Sequence, residues 1–266
     1  DSFYHNLTGG RVVAINRTTG EIVWDKQIAR VKHPKGSNVN VEREGFTVAP
    51  LAVDGRILVG NSKGDSGTNG WLAAVNAATG AEMWRTYTVP GPGEPGHDTW
   101  KDDHNAWKTG GAALWTTGSY DPQQKITIWG GAQPVPMFDP EFRPGDNLYS
   151  NTAIAFDIET GRIKWYFQYT PNESWDYDEQ GVHMLVDAPF QGGAPARGQL
   201  GGPSSVRFDS AIARARSTKK APTSSSKPSV ERTTPPTSGR RPWTSPGPCV
   251  GEVTSSGAHA SPVLRR

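Results

Sequence analysis

Three stretches of this chain repeat one pattern, and that pattern restricts the possible fold more than any other feature. AINRTTGEIVW (14–24), AVNAATGAEMW (74–84) and AFDIETGRIKW (155–165) each read Ala, apolar, Asn or Asp, two residues, Thr-Gly, three residues, Trp. In the first unit Val13 and Ile15 before the turn, and Ile22 and Trp24 after it, fall on alternate positions, the period of a β-strand. Between them Thr-Thr-Gly-Glu predicts a tight hairpin, with Gly20 free to take positive φ. The closing Trp is expected to bury its ring between neighbouring units. Repeated hairpins with a periodic Gly/aromatic signature predict propeller blades, each a short antiparallel sheet. The units lie further apart than the roughly 40–50 residues of a minimal blade, so the extra length is loop. The largest loops, 89–105 and 133–147, are rich in Pro and Gly and are expected to carry function.

Composition agrees with an aromatic-rich all-β protein: the 266 residues include 10 Trp and 31 Gly. Length alone allows one or two domains. With 28 Lys+Arg against 26 Asp+Glu, the net charge of +2 gives no warrant for nucleic-acid or membrane-surface binding. No apolar run approaches the roughly 18 residues needed to span a bilayer. Cys249 is the single cysteine, which rules out an internal disulfide or a cysteine-rich zinc site. The chain opens inside an apparent strand (Arg11–Asn16) without run-in or signal peptide, and so reads as a fragment that says nothing of its compartment.

Most of the chemistry lies between Trp107 and Asp178. The segment ends in Trp175-Asp176-Tyr177-Asp178, and if it is extended both carboxylates share one face. Two carboxylates converging on one point either bind a hard cation or push each other's pKa apart. Taken alone the motif reads as a solvated acidic loop. From Gln191 to Arg266 the chain turns to Ser, Thr, Pro, Arg and Gly without periodicity. Such composition does not bury enough apolar surface to offset ordering entropy, so no regular blade is expected there. Two readings stand: a disordered tail, or a segment that is not the natural continuation, such as a reading-frame shift. The abrupt stop of the blade pattern favours the second.

With the Thr-Gly-Trp hairpins, TGGAALW, YDP, RPGDN and WDYD in that order, the chain resembles the PQQ-dependent alcohol dehydrogenases. These quinoprotein methanol and ethanol dehydrogenases fold as eight-bladed β-propellers closed by tryptophan docking motifs. The resemblance covers about residues 7–190. It implies an all-β partial propeller of about three to four blades, with 1–190 as its domain and 191–266 outside it. Matched residue by residue, it implies that Thr47 and Ser62 hydrogen-bond the cofactor, with the Lys63–Gly64 backbone close by. It makes Trp115 the floor beneath the planar quinone. It implies a metal site of Asp65, Gln133, Asp176 and Asp178, where Asp65 stands for a family glutamate and Gln133 for a family asparagine. Both substitutes keep an oxygen donor but change the reach by a methylene.

Asp176 matches the family's catalytic base, and Asp178 a position that is acidic in the lanthanide-dependent branch and neutral in typical calcium enzymes. The resemblance implies PQQ with a lanthanide ion or Ca²⁺ as cofactors. The implied reaction is oxidation of a small primary alcohol by hydride transfer to quinone carbon C5, with Asp176 as general base. It further implies a cytochrome c electron acceptor and a periplasmic location. An arginine that contacts the quinone in the family, in an Arg-Asn-Gly context, has no counterpart in the GQLGGPSSVRFDS found here. Two alternatives stand beside this reading: a non-catalytic propeller scaffold or binding protein, and an inactive fragment of the dehydrogenase. A scaffold accounts for the hairpins but gives no reason for Trp115, Asp65, Gln133 and the paired aspartates in order.

Overall fold

The computed structural model describes residues 2–29, 44–179, 181–189, 195–200 and 249–252. Among them there is no α-helix, only strands, turns and short 3₁₀ segments, and no helix is long and apolar enough to cross a membrane. Strands β1 (Ser2–Leu7), β2 (Arg11–Asn16) and β3 (Ile22–Gln27) form a three-stranded antiparallel sheet. Strands β4 (Leu51–Val53), β5 (Arg56–Gly60), β6 (Trp71–Asn76) and β7 (Glu82–Tyr87) form a four-stranded one. The third sheet runs β8 (Ser119–Asp121), β9 (Ile126–Gly130), β10 (Thr152–Asp157) and β11 (Ile163–Gln168) in order. A hairpin of β12 (Met184–Pro189) and β13 (Pro195–Leu200) follows, and β14 (Cys249–Glu252) pairs with the outer edge of β11.

Two short strands lie in the stretch for which composition predicts no regular blade: β13 pairs with β12 and β14 with β11, one strand each. An edge strand offers a row of unpaired N–H and C=O groups, and any backbone can satisfy them without apolar periodicity. Residues 201–248 and 253–266, where most of the expected tail lies, are outside the described residues.

The three repeats fold alike down to their irregularities. Trp24 lies opposite Ala14, Trp84 opposite Ala74 and Trp165 opposite Ala155, and in each pair the register shifts one residue later. The turn is fixed by the Asn or Asp two places after the pattern's Ala. Asn16 Oδ1 accepts the N–H groups of Thr18 at 2.9 Å and Thr19 at 3.1 Å. Asn76 Oδ1 does the same for Ala78 and Thr79, and Asp157 Oδ1 for Glu159 and Thr160. These Asx turns deliver Gly20, Gly80 and Gly161 at φ of 77°, 71° and 71°, a region that only glycine enters freely.

The tryptophans join one sheet to the next. Trp24 Nε1–H donates to the Ala77 carbonyl at 3.0 Å, and Trp84 Nε1–H to the Ile158 carbonyl at 3.0 Å. Each ring lies flat against the next hairpin's glycine: a Cβ on Gly80 would meet Trp24 at 2.8 Å, and one on Gly161 would meet Trp84 at 2.4 Å. At Gly20 a Cβ would meet nothing within 4 Å. Because sheets stack face to face, the inner strands are buried on both sides, and β6, β9 and β10 are apolar nearly throughout. Simple alternation therefore does not set burial: Ile22 is 63% exposed and Trp24 7% exposed, and the bulge after Ala14 resets the faces. One core runs through the joints, from Val12 and Trp24 through Leu58 and Trp71 to Trp129, Ile154 and Phe156.

Candidate functional site

The chemistry-bearing residues sit on the connections between strands. Asp65 lies on a 3₁₀ turn, Gly64–Ser66, between β5 and β6, entered through Lys63 at φ 76° and left through Gly67 at φ 77°. Gly64 is buried against Ala113, which a Cβ would meet at 3.1 Å. Trp115 lies in the run before β8, Gln133 just past β9, and Asp178 past β11. Gly110 and Gly111 draw these connections together. Val135 N–H donates to Gly110 O at 3.1 Å and Ala112 N–H to Gln133 O at 3.0 Å, an approach that a side chain on Gly111 would block at 2.8 Å.

A single hydrogen-bonded set results. Asp178 Oδ2 accepts the Trp115 indole N–H at 2.8 Å, and its Oδ1 accepts the backbone N–H of Gln133 at 2.8 Å. Gln133 Nε2 donates to Asp65 Oδ1 at 2.6 Å, while the buried Gln133 Oε1 has no hydrogen-bond partner. Burial pushes the Asp178 carboxyl above the usual carboxylate range; the N–H donors of Gln133 and Trp115 oppose this, and the charges of Asp176 and Asp65 add to it. The donors are hard oxygens on separate, well-anchored loops, and one amide oxygen lacks any protein partner, a set suited to a hard cation. Among the described residues, no three His, Cys, Asp or Glu side chains converge closely enough to hold a metal ion by themselves.

Asp176 differs from the sequence expectation of an extended Trp-Asp-Tyr-Asp. It adopts φ 66°, so the segment turns there, and Asp176 is exposed while Asp178 points inward. The two carboxylates do not share a strand face, although Asp176 stays close enough to raise the pKa of both Asp178 and Glu173. Trp175 and Tyr177, 72% and 60% exposed, flank it. Thr47 and Ser62 lie at the margin. Thr47 Oγ–H donates to Trp115 O at 3.1 Å and the buried Ser62 Oγ–H to Gly45 O at 3.0 Å, so each hydroxyl proton is already engaged.

RPGDN, which belongs to the resemblance, also holds a residue that alternation and spacing do not mark. Arg143 is fully buried, and its five N–H donors are all used. Burial pulls its guanidinium down to about 10 against the opposing charges of Glu173 and Asp139. Glu173, 1% exposed, receives the Trp175 backbone N–H on its carboxylate. The available signal was an arginine inside a Pro-Gly turn, a cation where a loop needs many donors. Loop 89–105 packs against the 147–149 stretch: Trp100 is buried and its indole N–H donates to Leu148 O at 2.7 Å.

Comparison with known proteins agrees with this architecture. The family described as "PQQ: Glucose/ethanol/alcohol dehydrogenase, beta-propeller domain" matches residues 29–197. The quinoprotein alcohol dehydrogenase PedH of Pseudomonas putida is 36% identical over 200 residues, which is 69% of this chain and 31% of that protein. Methanol dehydrogenase [cytochrome c] subunit 1 of Methylorubrum extorquens is 32% identical over 67% of this chain and 29% of its own length. The chain thus spans about a third of the length of these curated relatives. Among solved structures, a europium-containing methanol dehydrogenase superposes with a TM-score of 0.65 at 29% identity, over 75% of this chain and 36% of that one. The quinohemoprotein alcohol dehydrogenase ADHIIG of Pseudomonas putida HK5 gives 0.66 at 30% identity, over 74% of this chain and 29% of that one. A family match over most of the ordered blades, together with strand register and tryptophan joints that repeat three times and twice, leads to one conclusion: the chain belongs to the PQQ glucose/ethanol/alcohol dehydrogenase β-propeller family.

Proposed function

We propose that this chain supplies the metal-binding and cofactor-facing part of an enzyme that oxidises a small primary alcohol to its aldehyde. The observation that carries the reading is Asp178, tied at once to the Trp115 indole and the Gln133 backbone, beside Asp65 and a buried, unpartnered Gln133 Oε1. In this reading Asp65, Gln133 and Asp178, joined by Asp176, hold a lanthanide ion or Ca²⁺, and an extra carboxylate at Asp178 favours the higher charge. Metal-held PQQ, when bound, supplies the two-electron acceptor that protein side chains lack.

The remaining roles belong to the chain's own residues. Trp115, fixed through its N–H, presents its ring face to a planar cofactor. Thr47 and Ser62 hydrogen-bond that cofactor after turning from Trp115 O and Gly45 O, with the Lys63–Gly64 backbone adjacent. Asp176, exposed on its turn, takes the proton of the substrate hydroxyl as general base. A cytochrome c acceptor and a periplasmic location belong to the same proposal, by kinship with the relatives above.

The test is a titration of this chain with PQQ in the presence of Ca²⁺ or a lanthanide, following Trp fluorescence and the quinone absorbance, alongside a version that carries a complete propeller. Saturable, metal-dependent binding is expected in the complete version at least. In that version Asp178→Ala should lower lanthanide-supported alcohol oxidation far more than calcium-supported activity, while Asp176→Ala should remove both. Metal-independent binding, or equal lanthanide turnover with and without Asp178, would overturn the assignment.

A further inference from the structure

We propose that Arg143 and Glu173 are positioning residues that hold the Asp176–Asp178 turn over Gln133. The inference rests on the cation reading of Asp65, Gln133, Asp176 and Asp178 given above, and it concerns residues outside that donor set. The two halves of the site lie on different loops, 133–147 and 169–178, and Arg143 is the hinge pin between them. On its own loop Arg143 Nε donates to Pro136 O at 2.8 Å, Nη2 to Met137 O at 2.7 Å, and Nη1 to Asn147 Oδ1 at 3.0 Å. Across the gap Nη1 donates to Asn172 Oδ1 at 3.1 Å and Nη2 to Glu173 O at 2.5 Å. A planar fork with fixed donor directions sets distance and angle together, which a lysine cannot do.

Glu173 carries the constraint onward. Its carboxylate accepts the backbone N–H of Trp175, and the Tyr177 N–H also favours its charged form, so it brackets Asp176 from both sides. Asn172, at φ 49°, and Asp176, at φ 66°, both occupy a backbone region that non-glycine residues enter at a cost, and the bonds from Arg143 and Glu173 hold them there. Additional bonds tie the loops at their base: Gln168 Nε2 donates to Asp146 O at 2.7 Å and Tyr169 N–H to Asn151 O at 2.9 Å. The base is therefore held without Arg143; beyond it Asn172 N–H reaches Asp146 O at 3.3 Å and Asp178 keeps its own bonds to Trp115 and Gln133, so what Arg143 and Glu173 set is the path of the chain between those anchors, which carries Asp176.

The experiment uses terbium(III) alone as probe on the full chain, with luminescence excited through tryptophan. Arg143→Lys and Glu173→Ala are compared with wild type and with Phe156→Leu, a core change in the third sheet that lowers stability away from the loops. Arg143→Lys and Glu173→Ala should weaken terbium affinity by about 10–100-fold, the range for residues that orient metal ligands. Glu173→Gln, which keeps an oxygen acceptor for the Trp175 N–H, should recover most of that loss, and Phe156→Leu should lower the melting temperature with affinity unchanged. Wild-type affinity in Arg143→Lys, or an equal loss in Phe156→Leu, would overturn the positioning role. Absence of saturable terbium luminescence in wild type, with folding intact, would instead overturn the cation reading on which it rests.

Discussion

Asp178 and Asp176 are two residues apart and physically unlike. Asp178 closes two hydrogen bonds in a half-buried setting, whereas Asp176 stands in solvent on a left-handed turn. Asp178→Ala leaves the Trp115 indole N–H and the Gln133 N–H without their acceptor, and an unsatisfied buried donor costs about 1–3 kcal/mol. Denaturant unfolding of Asp178→Ala should therefore show a loss of that order. Asp176→Ala should stay within about 0.5 kcal/mol of wild type, as for ordinary surface changes. A stability loss at Asp176 matching that at Asp178 would contradict the exposed placement of its carboxylate.

At the scale of the element, the hairpin glycines separate backbone strain from the tryptophan joint. Gly20 and Gly161 share nearly the same φ, 77° and 71°, so a Cβ meets similar conformational strain at both, about 1–2 kcal/mol. Only Gly161 has Trp84 against it, at 2.4 Å from an added Cβ. Gly20→Ala should then lose about 1–2 kcal/mol, and Gly161→Ala clearly more, because the indole and its bond to Ile158 O must shift. Equal losses in the two variants, measured by thermal unfolding, would mean that the joint contributes little. This contrast is invisible in sequence, where the two glycines sit in one motif.

For the whole molecule, stability depends on how sheets are coupled in series, since each touches chiefly its neighbours. The second and third sheets are linked by Trp84, by the Arg56–Glu159 ion pair, and by Asp54, which accepts from Tyr120 Oη and from Lys125 Nζ at 2.9 Å. Those donors hold the Asp54 carboxyl below its ordinary value, Tyr120 more than Lys125. A depressed folded pKa contributes stability above the unfolded value of 3.8 and loses it as pH falls through the lower folded pKa. The melting temperature of wild type should therefore exceed that of Asp54→Asn at neutral pH, with the gap closing as pH drops below 3.8. A gap that persists in acid would mean the link does not depend on the charge.

The sequence by itself determined the blades. An Asn or Asp that caps its own turn, a glycine that takes positive φ and a tryptophan at fixed spacing are local instructions, and each repeats wherever the eleven-residue pattern does. Strand alternation says less about burial, because sheets stacked on both faces bury whole strands and a bulge resets the sides: Ile22 and Trp24, two places apart, are 63% and 7% exposed. Trp115, Asp65, Gln133 and Asp178 are singled out by resemblance to a family's ordered motifs; taken alone, a turn carboxylate and a loop amide read as ordinary surface residues. Their convergence was decided by tertiary structure: Gly111 lets two loops touch backbone to backbone, and Arg143 spans to Asn172 and Glu173 about thirty residues away. Tertiary structure also turned Asp176 outward, because one left-handed residue breaks the extended geometry on which face-counting depends. Contacts set by the closing of distant loops leave no periodic trace in a chain, and so only the fold could place them.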